Sequence, residues 1–301
     1  MDHNFRDDLY LFTDSDLDGA GCYFVLRKFV GKDFGHIQTS EKKFREQFSA
    51  LENKEKYKRI YICDLSVLEK NSDIIDLPNV VYINHRNTAK YKDIIIKNLR
   101  QESEDADSCT LLFYKKIKDK LKEPFTRDEK ILISYINDYD SYALKFPESK
   151  KLHYLLHSLD GDRLLKFFNN FETGFKGFTS TQETTINNII DRVNNTFNTL
   201  KIFKGVLKIG SQDINVCSTF NNIFPSEICD KMLQCYDCDV AISVNLNTSN
   251  VSIRKKKDCS VNLGKFASKV FDGGGDDSVA GGKITKTFLE LTKLLYPIDE
   301  S

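Results

Sequence analysis

The sequence carries no excess of charge: its 44 basic and 44 acidic side chains cancel over 301 residues. A neutral chain has no broad positive field with which to track a long polyanion, so any nucleic-acid partner is expected to be short or held locally. Nor is there a run of ~18 apolar residues of the kind that crosses a bilayer, and the opening Met1-Asp2-His3-Asn4-Phe5-Arg6 has no signal-peptide core. Together these absences predict a cytoplasmic protein with no membrane partner. A disulfide framework is missing too, because the eight cysteines fall mostly inside apolar stretches, as reduced core thiols do. Cys235-x-x-Cys238, completed by Cys229 and Cys259, is the set a zinc site would use. Its irregular spacing, and the apolar segment Val240 to Leu246 into which Cys238 leads, favour core thiols.

What the chain has in quantity is acid at one turn. Leu9 to Phe12 read as a short strand and Ala20 to Phe29 as the helix after it. Between them stand Asp14, Asp16 and Asp18. Carboxylates so close repel one another, and a fold keeps them together where a cation or solvent neutralises them. Alternate spacing in an extended segment predicts all three on one side, with Gly19 turning the backbone sharply into the helix. A solvated acidic turn fits the same cluster in isolation. A calcium loop of the EF-hand kind does not, since no Glu follows at its twelfth position.

Two further apolar runs end at polar tips: Arg59 to Cys63 leads into Asp64-Leu65-Ser66, and Val80 to Ile83 into Asn84-His85-Arg86-Asn87. Repetition of strand, polar tip and helix predicts an α/β fold, with a mostly parallel sheet flanked by helices and the tips gathered on one edge. Asp14, Asp16, Asp18, Asp64 and His85 would share that edge. Helical spacing over Asp128 to Tyr139 carries Asp140 to a helix end, where it either points back at the same edge or is a surface carboxylate. Ile186 to Phe203 repeats apolar residues at threes and fours and predicts one long linking helix. Strands dominate after it, in Gly205 to Ile209, Ile214 to Cys217, and a hairpin of Val240 to Leu246 with Val251 to Arg254. The implied organisation is a first domain over 1–180, a connecting helix over 181–204, and a smaller α/β domain over 205–301. Near the end, Gly273, Gly274, Gly275, Gly281 and Gly282 free the backbone to aim N–H groups at an anion. Arg254-Lys255-Lys256-Lys257 is either the charge of such a phosphate cradle or a solvated strand end.

In this order the stretches resemble the DHH phosphoesterase superfamily, in the branch with a DHH-associated C-terminal domain, and within it the bacterial oligoribonucleases that degrade very short RNA. Thr13-Asp14-Ser15-Asp16-Leu17-Asp18-Gly19 is similar to the first motif, His-x-Asp-x-Asp-Gly, and Ile62-Cys63-Asp64-Leu65-Ser66 to the second. Asn84-His85-Arg86 stands at the Asp-His-His place and Tyr139-Asp140-Ser141 at the fourth motif. Val251-Ser252-Ile253-Arg254 resembles the Ser-x-Arg strand, and Gly273 to Gly281 the Gly-Gly-Gly-His-x-x-Ala-Ala-Gly loop. The resemblance implies a phosphodiesterase that hydrolyses short oligonucleotides to mononucleotides with two Mn²⁺ ions, Mg²⁺ and Co²⁺ being alternatives. Asp14, Asp16 and Asp64 would hold one ion, and Asp18, Asp64, His85 and Asp140 the other, with Asp64 bridging. It further implies catalytic roles for Asn84, His85 and Arg86, and substrate binding by Arg254, Gly273, Gly274, Gly275 and Asp276.

The chain departs from the pattern at four places. Asp14 replaces a His and makes the site harder, favouring Mn²⁺ or Mg²⁺ over zinc. Asn84 replaces an Asp, keeping an acceptor without its charge. Arg86 replaces a His, and its planar fork suits a phosphate. Asp276 replaces the glycine-loop His and puts a carboxylate where a phosphate is expected. These changes keep two other readings open: a degenerate relative that binds a nucleotide or protein partner without chemistry, and an enzyme for another small phosphoester such as a cyclic dinucleotide, phosphoadenosine phosphate or pyrophosphate. Monomer and homodimer are both compatible with the sequence.

Overall fold

A computed structural model describes residues 5–67, 70–85, 108–121, 123–209, 212–275 and 277–284. Arg86 and Asp276, expected at the site, lie outside them. The chain divides into two compact units, Met1–Ile186 and Asn187–Ser301.

In the first unit β1 (Phe5–Thr13), β2 (Asp33–Gln38), β3 (Arg59–Cys63) and β4 (Val80–Ile83) form a parallel sheet in the order β2-β1-β3-β4. Leu9, Leu11, Phe12, Ile60, Ile62 and Cys63 are buried, which is why β1 and β3 read as apolar runs. The sequence pattern gives no strand at β2. Phe34 is its one buried residue, so this polar strand beside β1 shows neither an apolar run nor a clean alternation.

Helices cover both faces of the sheet. α1 (Leu17–Val30) follows β1 and is buried from Leu17 to Leu26; it ends at Gly31, whose φ of 68° is the left-handed cap that glycine adopts without strain. α2 (Phe44–Ala50) sets Phe44 and Phe48 against Phe12, Ile60, Ile62 and Tyr82. After the short α3 (Ser72–Ile75), α4 (Cys109–Ile117) starts at Ser108, whose hydroxyl accepts the Leu111 N–H as an N-cap. A capping box of Thr126 and Glu129 starts α5 (Arg127–Asp140). α6 (Pro147–Ser158) and α7 (Arg163–Phe171) complete the layer around α1.

Apolar spacing predicts the next helix over Ile186 to Phe203. The helix observed, α8, is Ser180–Thr199. Its start is set by a second capping box, in which Thr179 N–H donates to Gln182 and the Gln182 N–H to the Thr179 hydroxyl, a signal that apolar periodicity does not contain. Phe203 instead opens a strand.

Among its described residues the second unit holds, besides the rest of α8, a six-stranded mixed sheet on which two helices pack. β5 (Phe203–Ile209), β6 (Gln212–Phe220), β7 (Val240–Asn245), β8 (Asn250–Lys255), β9 (Gly274–Gly275) and β10 (Val279–Lys283) lie in the order β5-β6-β7-β8-β10-β9, with β6 and β7 parallel and the other described pairs antiparallel. α9 (Pro225–Cys235) and α10 (Leu263–Val270) pack on it through Ile228, Cys229, Met232, Leu263 and Ala267. Cys229 and Cys238 are core thiols, Cys235 is exposed, and no zinc-type cluster of these cysteines is found among the described residues. No described helix is long and apolar enough to cross a membrane.

The basic run at the end of β8 is not uniformly solvated. The Lys255 side chain is 4% exposed, and its ammonium donates to the carbonyls of Cys259 and Val261, at 2.9 Å each, and to Asp277 Oδ2 at 2.6 Å. It therefore staples the glycine segment to the sheet. Lys255→Met keeps the stem but removes all three donated bonds, and thermal unfolding is expected to show a loss of about 1–3 kcal/mol; an unchanged melting temperature would show the staple to be idle.

Candidate metal centre

The tips of β1, β3 and β4 open on the same edge of the parallel sheet, where α1, α4 and α5 also present their ends. The three aspartates of the β1–α1 turn separate there. The segment is not extended throughout, because Asp16 is the N-cap of α1 and Asp18 lies in its first helical turn; alternation therefore does not put the three on one side. Asp14 Oδ1 accepts the Ser15 N–H at 2.6 Å, and Asp16 Oδ1 accepts the Gly19 N–H at 2.9 Å. Asp18 turns inward and is 1% exposed. Gly19 is needed for space: a Cβ there would stand 2.2 Å from the Asp14 carbonyl oxygen.

Asp18 has a structural task that sequence alone does not reveal. Its Oδ2 accepts the Cys109 N–H at 2.7 Å and its Oδ1 the Thr110 N–H at 2.8 Å, the first amides of α4. These donors and the positive end of the helix favour the charged carboxylate. Burial outweighs them, and with the nearby Asp16 charge pushes the Asp18 carboxyl up to about 7.

Asp64 sits at the tip of β3 with a φ of 55°, in the left-handed region uncommon for a side chain other than glycine, asparagine or aspartate. Two contacts hold it: the Asp64 N–H donates to the Ile83 carbonyl at 3.0 Å, and the Tyr82 hydroxyl donates to the Leu65 carbonyl at 2.7 Å. Asn84 is 3% exposed and donates through Nδ2 to the Tyr82 hydroxyl at 3.0 Å. The residue at the first triplet position thus acts through Tyr82 on the neighbouring tip. Tyr82→Phe removes this relay; it is expected to cost about 1–3 kcal/mol of stability and, through misplacement of Asp64, ~10-fold or more in divalent-metal affinity. Wild-type affinity in this variant would disconnect the relay from the centre.

One donor atom each from Asp18, Asp64 and His85 lies within 4.8 Å of the other two. His85 Nε2 is 3.7 Å from Asp64 Oδ1 and 3.4 Å from Asp140 Oδ2, which comes from the last residue of α5. Asp14, Asp16 and Asp140 are not members of the 4.8 Å group; Asp140 reaches it through His85. Metal–oxygen bonds of ~2.0–2.6 Å keep two ligands of one cation within about 4–5 Å of each other, so the spacing fits a shared ion. Three carboxylates and one imidazole, without thiolate, suit Mn²⁺ or Mg²⁺. The residues present therefore fit a divalent cation. Cys22, Cys63 and Cys109 are fully buried, and Cys109 Sγ donates to the Ile83 carbonyl at 3.2 Å.

In the second unit, Arg254 donates through Nη2 to Ser226 Oγ at 2.7 Å and through Nη1 to the Ile253 carbonyl at 2.9 Å. Gly274 and Gly275 pair with Gly281 and Ala280 as a tight antiparallel ribbon. A Cβ on Gly273 would meet the Gly281 carbonyl oxygen at 2.0 Å, and Gly275 has a φ of 143°, so both positions require glycine.

No family model matches the sequence, and no curated protein does. Solved structures do match. The pGpG-specific phosphodiesterase PggH from Vibrio cholerae is 12% identical over 95% of this chain and 97% of that one, with a TM-score of 0.57. An exopolyphosphatase-related protein from Bacteroides fragilis is 14% identical over 96% and 90%, with a TM-score of 0.52. The exonuclease RecJ bound to manganese is 9% identical over 95% and 88%, with a TM-score of 0.50. These neighbours are DHH-superfamily structures, and this chain has their two-part α/β fold.

Proposed function

We propose that the protein is a divalent-metal-dependent phosphodiesterase acting on short oligonucleotides, down to dinucleotides, and releasing mononucleotides. The observation that carries the reading is the convergence of Asp18, Asp64, His85 and Asp140 from α1, β3, the β4 tip and α5, in a fold shared with a phosphodiesterase and an exonuclease. In this reading those four residues hold one Mn²⁺, and Asp14 and Asp16 join Asp64 around a second. Bound cations of this kind supply Lewis acidity and a water acidic enough to attack phosphorus near neutral pH.

The chain's own groups do the rest. Asp64 takes the central place because its left-handed backbone, braced by Tyr82, fixes the carboxylate before any ligand arrives. Asp140 lies beside His85 and orients the imidazole. Burial around Asp18 and Asp64 keeps bulk water from screening the site's charges. Arg254 is the group we assign to a substrate phosphate, and Arg86 the one we assign to charge developing on the scissile phosphate.

A panel of labelled dinucleotides, longer RNA, cyclic dinucleotides and phosphoadenosine phosphate, each with Mn²⁺, tests the assignment. Dinucleotide turnover, abolished by EDTA and falling with substrate length, is the expected result; turnover confined to another phosphoester would replace the substrate and keep the chemistry. A second reading, binding without hydrolysis, draws on Asn84, a neutral amide spent on the Tyr82 hydroxyl. Metal loading with no turnover of any substrate would select it.

A further inference from the structure

Away from the candidate centre, a cavity of about 250 Å³ lies along β3, β4 and α4. Among its described lining residues Arg59, Lys116 and Lys120 are basic and none is acidic. Tyr61 and Phe113 line it with rings stacked at 5.7 Å and 29°, and Phe29, Val81, Leu112 and Ile117 complete an apolar floor. Arg59 spends one donor on the Lys58 carbonyl at 2.8 Å, leaving further N–H groups of its fork. The volume is just under the ~300–1,000 Å³ of sites for drug-sized ligands, which suits a single nucleotide and is too small for an oligomer. The part-buried Tyr61 ring, backed by the buried Phe113 and set beside Arg59 and Lys120, matches a ligand that joins a planar base to an anion.

We propose that this cavity binds a nucleoside monophosphate, its base on the Tyr61 ring, which Phe113 backs, and its phosphate at Arg59 and Lys120. The cavity shares Tyr82 and Ile83 of β4 with the support of the metal centre but opens at the other end of α4: Asp18 is held by the first amides of α4, whereas Lys116 and Ile117 come from its last turn. The proposal stands on the cavity's shape and charge and does not require the protein to be a hydrolase.

Calorimetric titration of AMP into the full chain in EDTA, which removes metal-dependent binding, tests it. Wild-type protein is expected to bind one AMP, Arg59→Ala with Lys120→Ala to weaken it at least ~10-fold, and Asp64→Asn to leave it within about twofold, since no ligand contact is lost. Adenosine and inorganic phosphate should each bind far more weakly than AMP. The proposal is overturned if wild type does not bind AMP, if adenosine binds as well as AMP, or if Asp64→Asn removes binding while the double variant keeps it. Lys120→Glu alone, at an exposed position, gives the same decision should the double variant fold poorly. Loss of hydrolysis in the substrate panel with AMP binding intact would sink the enzymatic reading and leave this one standing.

Discussion

Asp64→Asn is expected to leave less than about a hundredth of Mn²⁺-dependent phosphodiester turnover, in line with the ~10²–10³-fold cost of removing one well-placed electrostatic group. The substitution is chosen for the backbone. Asp64 has a φ of 55°, and asparagine tolerates that region where alanine adds strain. Size and the Tyr82-to-Leu65 contact are preserved, so the change is confined to one buried negative charge. Metal-free protein should melt no lower than wild type, because a carboxylate crowded beside Asp18 has been neutralised. Initial rates at saturating Mn²⁺, read beside thermal melts in EDTA, check both halves. A variant as active as wild type would remove Asp64 from the chemistry; one that loses activity and several degrees of stability together would mean the tip had collapsed.

Asp18 should behave differently, since it both belongs to the cluster and caps α4. Asp18→Ala withdraws the acceptor of the Cys109 and Thr110 amides in a fully buried place. Leaving buried donors without partners costs about 1–3 kcal/mol each, so a loss of about 3 kcal/mol is expected with or without metal. At ~2–4 °C per kcal/mol for a unit of this size, the melting temperature should fall by about 6–12 °C. Asp18→Asn retains an acceptor oxygen but turns an NH₂ toward one of the two amides, and should recover part of that stability while still losing metal affinity. The two variants together separate cap from ligand. Equal stability of Asp18→Ala and wild type in EDTA would contradict the capping role.

The sheet was legible where its strands are apolar and end in a single polar residue. β1, β3 and β4 announce themselves through buried runs that stop at Asp14, Asp64 and Asn84. β2 did not, because one buried phenylalanine makes no pattern. The apolar face of helix α8 is readable in the sequence but its start is not set by that face, because the side-chain hydrogen bonds of Thr179 and Gln182 decide the boundary there. Spacing alone could not tell that the three acidic residues of the first turn part company once α1 begins at Leu17, Asp18 alone turning inward beside Asp64 and His85. Nor could it show Tyr82 and Asn84 bracing a tip from a neighbouring strand, or one lysine of a basic run buried as a staple. Those roles depend on contacts between residues far apart in the chain, which no local pattern encodes.

The central claim is that Asp18, Asp64, His85 and Asp140 form one divalent-cation site, and Mn²⁺ binding followed by the electron paramagnetic resonance signal of the free ion tests it most directly. Wild-type protein should remove Mn²⁺ from solution stoichiometrically, whereas Asp64→Asn and His85→Ala, both folded by circular dichroism, should each lose at least ~10-fold in affinity. Wild type that leaves the free-ion signal unchanged, or variants that deplete it as well as wild type does, would contradict the account.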